Sequence, residues 1–127
     1  MRIIGGNLKG KKINFFKSQN TRPLKDSVKE SIFNVLNHSN KIEVEIKNSK
    51  VLDLYAGTGS FGIECISRGA KIAIFVERNI IFYKLLEENL KNLSIFKQTK
   101  IINNNVENDR IIPDEKYNII FFDPPYK

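Results

Sequence analysis

The chain has 127 residues, 41% of them hydrophobic and 28% charged, a composition that fits one globular domain with one core. One cysteine and one histidine exclude an internal disulfide and a zinc-type cluster, so no metal is expected. No apolar run approaches the roughly 18 residues that cross a bilayer, and Met1–Gly6 carries no signal-peptide h-region, which points to the cytoplasm and away from the membrane. The net charge of +7 is unevenly placed: residues 1–50 hold 11 Lys/Arg against 4 Asp/Glu, whereas residues 51–127 hold 10 of each. A basic excess confined to the first fifty residues predicts a surface for a polyanion, since each neutralised phosphate releases a condensed counterion.

Residues 2–4 and 12–16 are short extended stretches around the connection GGNLKG, a predicted β-hairpin. In "TRPLKDSVKESIFNVL" the period changes. Val28, Ile32, Val35 and Leu36 recur at helical spacing and predict one buried face, with Asp26 or Ser27 as the cap and Ser27 with Glu30 as a capping box. Residues 38–50 read as a connector. From there strands and helices alternate: strand 51–55, helix 61–68 closed by Gly69, strand 72–76, helix 80–93, strand 100–103 and strand 117–122. In the second of these helices Phe82, Leu85, Leu86 and Leu90 face inward. Continuous apolar strands separated by helices predict a doubly wound, mostly parallel α/β sheet covered on both faces. The whole is one domain, with residues 1–50 a basic hairpin-and-helix extension and residues 51–127 the ligand-binding core.

"VLDLYAGTGSFGIE" places Gly57-x-Gly59-x-x-Gly62 between a strand and a helix, where glycines let the backbone turn sharply and approach a ligand. Glu77, at the end of the next strand, is placed to accept hydrogen bonds from a ribose diol. A dinucleotide and S-adenosylmethionine share this layout. Asp53, just before the glycine turn, favours S-adenosylmethionine: a carboxylate there suits the ligand's ammonium and does nothing for a pyrophosphate.

The chain closes on "NIIFFDPPYK". Two prolines after Asp123 fix two φ angles and remove two N–H donors. The Asp123 carboxylate and the Pro124 carbonyl then form an acceptor-only surface suited to an amino group. Charge developing on that nitrogen during methyl transfer would be stabilised by Asp123, and Tyr126, after Pro125, offers a ring for a base to stack on.

Together "RIIGGNLKGKKI", "TRPLKDSVKESIFNVL", "VLDLYAGTGSFGIECISRGA", "VERN" and "FFDPPYK" resemble the bacterial 16S ribosomal RNA guanine-N2 methyltransferases. The resemblance implies a Rossmann-like class I methyltransferase fold and an enzyme that methylates the exocyclic N2 of a guanine in 16S ribosomal RNA or the small ribosomal subunit. It implies that Asp53, Tyr55, Ala56, Gly57, Thr58 and Gly59 cradle the methionine part of the cofactor. Glu77 with Arg78 would serve the ribose, and Asn105 the adenine. Asp123, Pro124, Pro125 and Tyr126 would hold the target guanine, flipped from its stack. Arg2, Lys9, Lys11, Lys12 and Arg22 would meet the RNA. The Asp-Pro-Pro-Tyr element and glycine loop are shared with methyltransferases of DNA adenine and protein glutamine, which stay open as alternatives, as does a non-catalytic RNA-binding remnant. In this fold two or three more strands normally follow the fourth, so the expectation is a C-terminally incomplete fragment, or self-association through an exposed apolar edge at residues 117–122.

Overall fold

The structure, a computed structural model, describes residues 1–15, 26–38 and 45–124. Its centre is a four-stranded parallel sheet built from β1 (Lys50–Leu54), β2 (Ile72–Val76), β3 (Thr99–Ile102) and β4 (Ile119–Phe122), in the order β3-β2-β1-β4. The chain runs outward from β1 through β2 to β3, then crosses back to place β4 on the other side of β1. That reversal makes the crevice between the tips of β1 and β4 a topological switch point, where open α/β sheets bind their ligands. Helices α1 (Asp26–His38), α2 (Ser60–Ser67) and α3 (Ile80–Asn92) complete the regular elements, with single 3-10 turns at Phe96–Gln98 and Asp109–Ile111.

Side chains alternate across a strand. Val51, Ala73 and Phe75 therefore face one way, where α2 and α3 cover them with Ile63, Cys65, Ile66, Leu86 and Leu90. Phe61 of α2 stacks on Phe121 of β4 at 3.9 Å between ring centroids and on Phe33 of α1 at 5.2 Å. Leu52, Leu54, Ile74 and Val76 face the other way, against Val106, Ile111, Ile112 and Tyr117 from the β3–β4 crossover. Among the described residues that second face carries no α-helix. The apolar strand β4 is uncovered on one face, in keeping with the exposed apolar edge expected at residues 117–122: Ile120 is 58% and Phe122 61% exposed. Both share the face of Leu52 and Leu54 through the register Leu52↔Ile120 and Leu54↔Phe122.

Among the described residues the N-terminal hairpin is reduced to one antiparallel bridge, Arg2↔Lys12, flanked by Ile3 N–H to Lys11 O and Ile13 N–H to Met1 O; Phe16, at the end of the expected second arm, lies outside them. Ile3 and Ile13 are buried. The hairpin lies on α2, where Glu64 gathers its backbone: Oε1 accepts from Ile4 N–H (2.9 Å) and Oε2 from Gly5 N–H (2.8 Å). Arg68 (2.8 Å) and Lys29 (3.2 Å) pair with the same carboxylate. Burial raises the Glu64 pKa, but the N–H donors of Ile4 and Gly5 with the Arg68 and Lys29 charges outweigh it and hold the group below its ordinary value.

This network corrects the reading of α1. Val28 and Val35, assigned to the buried face, are exposed, while Lys29 and Phe33 are fully buried and Ile32 and Leu36 partly so. The helix is turned by its buried cation, which reaches Glu64, and by Phe33, which packs on Phe61 beneath the Arg68 guanidinium, 4.6 Å from the ring centroid. The helix already includes Asp26 and Ser27, so Ser27 is a first-turn residue rather than a cap, and its carbonyl accepts from Ser31 Oγ.

Candidate active site at the strand tips

The glycine turn begins where β1 ends. Tyr55 and Gly57 sit at positive φ (56° and 58°), and Ala56 N–H reaches across to Val76 O (3.0 Å). The three glycines serve different physical ends. A Cβ at Gly57 would meet nothing within 4 Å, so only its backbone angle requires glycine and the space above it is open. Gly59 has φ of 87°, and a Cβ there would lie 2.3 Å from Leu86 Cδ1. Gly62 lets α2 approach the sheet: a Cβ would lie 2.3 Å from Phe75 Cε1.

Below the turn, Asp53 is 1% exposed and accepts the Gly62 N–H at 3.1 Å. Burial drives its pKa well above the ordinary carboxylate range. The Gly62 N–H opposes that shift, and the negative charges of Glu77 and Asp123 add to it. The register Leu54↔Val76 and Leu54↔Phe122 puts Glu77 and Asp123 just past the neighbouring strand ends, so the three carboxyl groups lie at one end of the sheet.

Glu77 is buried with both oxygens engaged, Oε1 by Gly57 N–H and Oε2 by Asn79 N–H, each at 2.8 Å. It therefore fixes the glycine turn to the entry of α3, and each oxygen keeps a second lone pair for a hydroxyl donor. Asn79 caps α3, accepting from Ile81 and Phe82 N–H. Asn103 holds the backbone after β2, donating from Nδ2 to Glu77 O (2.9 Å) and Arg78 O (3.2 Å). Arg78 is exposed. Asn105 Oδ1 accepts from Glu107 N–H at 3.0 Å, an Asx turn that uses the side-chain oxygen and leaves the Nδ2 donors for a ligand.

Asp123 and Pro124 follow β4, one step past the Leu54↔Phe122 pair and so level with Tyr55, whose ring meets Phe122 edge-on at 5.4 Å. Both are exposed. Pro125, Tyr126 and Arg22 lie outside the described residues. The structure thus brings Asp53, Tyr55, Ala56, Gly57, Thr58, Gly59, Glu77 and Asp123 to one end of the sheet. Lys9, Lys11 and Lys12 are exposed on the hairpin, and Arg2 donates from Nη1 to Gly10 O (2.9 Å).

Three residues escaped the sequence reading. Lys29, Asn89 and Asn103 each hold backbone or loop groups of the site, yet a lone lysine or asparagine on a helix or past a strand reads as solvated. The signal for Lys29 was Phe33 at i+4; for Asn89 it was the flanking pair Leu86 and Leu90.

No group of His, Cys, Asp or Glu side chains able to hold a metal occurs among the described residues. No helix among them is long and apolar enough to cross a membrane.

Known proteins are similar to this chain along its length. A family described as "Conserved hypothetical protein 95" matches residues 1–127. "Putative rRNA methyltransferase YlbH" of Bacillus subtilis is 37% identical over 130 residues, covering 100% of this chain and 67% of its own length. "Ribosomal RNA small subunit methyltransferase D" of Buchnera aphidicola (subspecies Acyrthosiphon pisum) is 39% identical over 124 residues, covering 98% of this chain and 62% of its own. The solved structure of "Putative methyltransferase yhhF" from Escherichia coli superposes with a TM-score of 0.81 at 32% identity, over 100% of this chain and 65% of that one. The chain thus spans between 62% and 67% of the length of these relatives, and the sheet has the Rossmann-like class I methyltransferase fold of its structural neighbours.

Proposed function

The chain belongs to the Conserved hypothetical protein 95 family, that of the ribosomal RNA small subunit methyltransferase D proteins, and from this premise we propose that it serves S-adenosylmethionine-dependent methylation of the exocyclic N2 of a guanine in 16S ribosomal RNA. The observation that carries the cofactor reading is the trio Asp53, Glu77 and Asp123 around an open glycine turn. Three carboxyl groups in one field repel a pyrophosphate and favour a ligand bearing an ammonium and a sulfonium. When bound, the cofactor supplies an electrophilic methyl whose departure leaves a neutral thioether.

The chain's own residues do the rest. The turn from Asp53 to Gly59 would receive the amino-acid end, and a cation placed there would favour the ionised form of Asp53 that burial alone disfavours. Glu77 offers its spare lone pairs to the ribose diol without releasing Gly57 or Asn79, Arg78 flanks it, and Asn105 Nδ2 donates to the adenine. Asp123 and the Pro124 carbonyl accept the two N–H bonds of the guanine N2. Held this way, the nitrogen lone pair would be turned towards the place where a bound cofactor would present its methyl group. Asp123 stabilises the positive charge on nitrogen as it develops, and the surplus proton leaves through its carboxylate to solvent. Pro125 stiffens the element and Tyr126 stacks on the base. The exposed cations Arg2, Lys9, Lys11 and Lys12, with Arg22, hold phosphates of the RNA.

The test is incubation with methyl-labelled cofactor and small ribosomal subunits lacking the modification, followed by nucleoside digestion. Label in N2-methylguanosine is expected. Label in protein or DNA alone would reject the substrate assignment.

A further inference from the structure

The basic hairpin and the glycine turn are joined by two buried side chains that belong to neither. Asn89 of α3 is buried beneath both. Its Oδ1 accepts from Asn14 N–H (3.0 Å), and its Nδ2 donates to Asn14 O (2.9 Å) and to Thr58 O (3.2 Å). Lys29 of α1 is also fully buried, and its ammonium reaches three partners: Arg2 O (3.1 Å), Ser60 Oγ (3.1 Å) and Glu64 Oε1 (3.2 Å). An ammonium has three protons, so each is committed to a different group. The residues on either side of Gly59 are therefore each tied to the hairpin, Thr58 through Asn14 and Ser60 through Arg2. Both ties insert next to the bridge Arg2↔Lys12, which locks the two arms of the hairpin together.

We propose that Asn89 and Lys29 are positioning residues that couple polyanion binding on the hairpin to cofactor binding at the glycine turn. The proposal rests on the functional reading above, which supplies the two ligands. The turn carries two glycines at positive φ, Gly57 and Gly59, and glycine has more conformational freedom to lose than any other residue. A cofactor binding there restricts the freedom that the turn keeps beyond the Gly57 N–H bond to Glu77. Phosphates held by Lys9, Lys11 and Lys12 restrain the hairpin, and the Asn89 and Lys29 contacts pass the restraint to Thr58 and Ser60. The cofactor then meets a turn that is already ordered. Coupling through lost freedom needs no change of shape, and it is reciprocal: the cofactor tightens RNA binding by the same factor.

The experiment measures calorimetric Kd values for S-adenosylhomocysteine on the chain alone and on the chain saturated with 16S ribosomal RNA transcribed in vitro. In the wild type the Kd is expected to fall by about fivefold or more with RNA present. In Lys29→Met and Asn89→Asp the ratio is expected to approach one. Ser60→Ala, which removes only the hydroxyl that Lys29 holds, is the variant that keeps the fold intact, and its ratio is expected to lie between. A purely architectural role would lower the thermal midpoint of these variants and leave the ratio at its wild-type value, which would overturn the proposal. A wild-type ratio of one, with both ligands bound, would overturn it alone. Failure of the wild type to bind S-adenosylhomocysteine at all would overturn the functional reading and this inference with it.

Discussion

Replacing Asp53 by Asn separates what this carboxyl costs the fold from what it does for a ligand. Asparagine keeps the shape and an oxygen to accept the Gly62 N–H, now bonded at 3.1 Å. Loss of the charge-assisted character of that bond costs about 1 kcal/mol. Against this, an ionised carboxylate 1% exposed and facing two like charges carries a desolvation cost of several kcal/mol. The net expectation is a ligand-free chain more stable at neutral pH by on the order of 1–3 kcal/mol, with a midpoint shift of about 4 °C per kcal/mol for a domain of this size.

The pH dependence fixes the sign. Burial raises the folded pKa of Asp53 above its unfolded value of about 3.9, so the native state holds the proton more tightly. That contribution to stability is fully present below the unfolded value and is lost as pH rises through the folded one. The gap between variant and wild type should therefore widen as pH rises and then level off. The Glu64 contribution, of opposite sign, is common to both chains and cancels. The assay is thermal unfolding of the two proteins without cofactor from pH 4 to 8. An Asp53→Asn variant that is less stable than wild type at pH 7, or a gap that narrows with rising pH, would refute the reasoning.

Other consequences are equally checkable. Glu77→Ala removes the acceptor of both Gly57 and Asn79 N–H as well as the ribose contact, and should weaken S-adenosylhomocysteine by about 1.5–3 kcal/mol, roughly 10- to 150-fold by calorimetry; a change under threefold contradicts its role. Asp123→Ala should abolish methyl transfer while leaving cofactor affinity within about threefold, because the proposed role of the exposed Asp123 is towards the acceptor nitrogen and not the cofactor; equal losses in both measurements would remove that division of labour. Glu64→Gln leaves Lys29, which is fully buried, without a counter-charge and should cost about 3–5 kcal/mol in urea unfolding. Because the folded pKa of Glu64 is lowered, its contribution is present above the unfolded value near 4.3 and lost as pH falls through the folded one, so the loss on substitution should shrink in acid. Gly62→Ala sets an overpacking cost of about 1–3 kcal/mol against Phe75 over a helix-propensity gain of about 1 kcal/mol; denaturation should show net destabilisation, and a more stable variant would mean that α2 can move off the sheet.

Much of this architecture was legible because β1 and β2 are buried from their second residue on, so the run IAIFV of β2, and Val51, Leu52 and Leu54 of β1, outweigh Lys50 and Asp53 as strand signals. The glycine turn was legible for a related reason: a strand, three spaced glycines and a helix leave few other conformations. The face of α1 was not, because burial of Lys29 depends on Glu64, 35 positions later in the chain, and no helical period encodes an ion-pair partner. The hairpin shows one bridge among the described residues, and its connection is held by Glu64 and Ser67, which accept the N–H groups of Ile4, Gly5 and Leu8 and lie some 60 positions away, beyond the reach of any local pattern. Asn89 and Asn103 stayed hidden because their partners are backbone groups, which leave no trace in composition. At the site, sequence placed Glu77 opposite a ribose, and the structure adds that the same carboxylate already holds the turn.

The most direct measurement is a structure of the chain with S-adenosylmethionine bound. The account predicts the ammonium above Asp53 and the Gly57–Gly59 turn, the ribose on Glu77, and the methyl carbon facing the Asp123 carboxylate across the β1–β4 crevice. A ligand seated elsewhere, or one in this crevice with its sulfur turned away from Asp123, would contradict it.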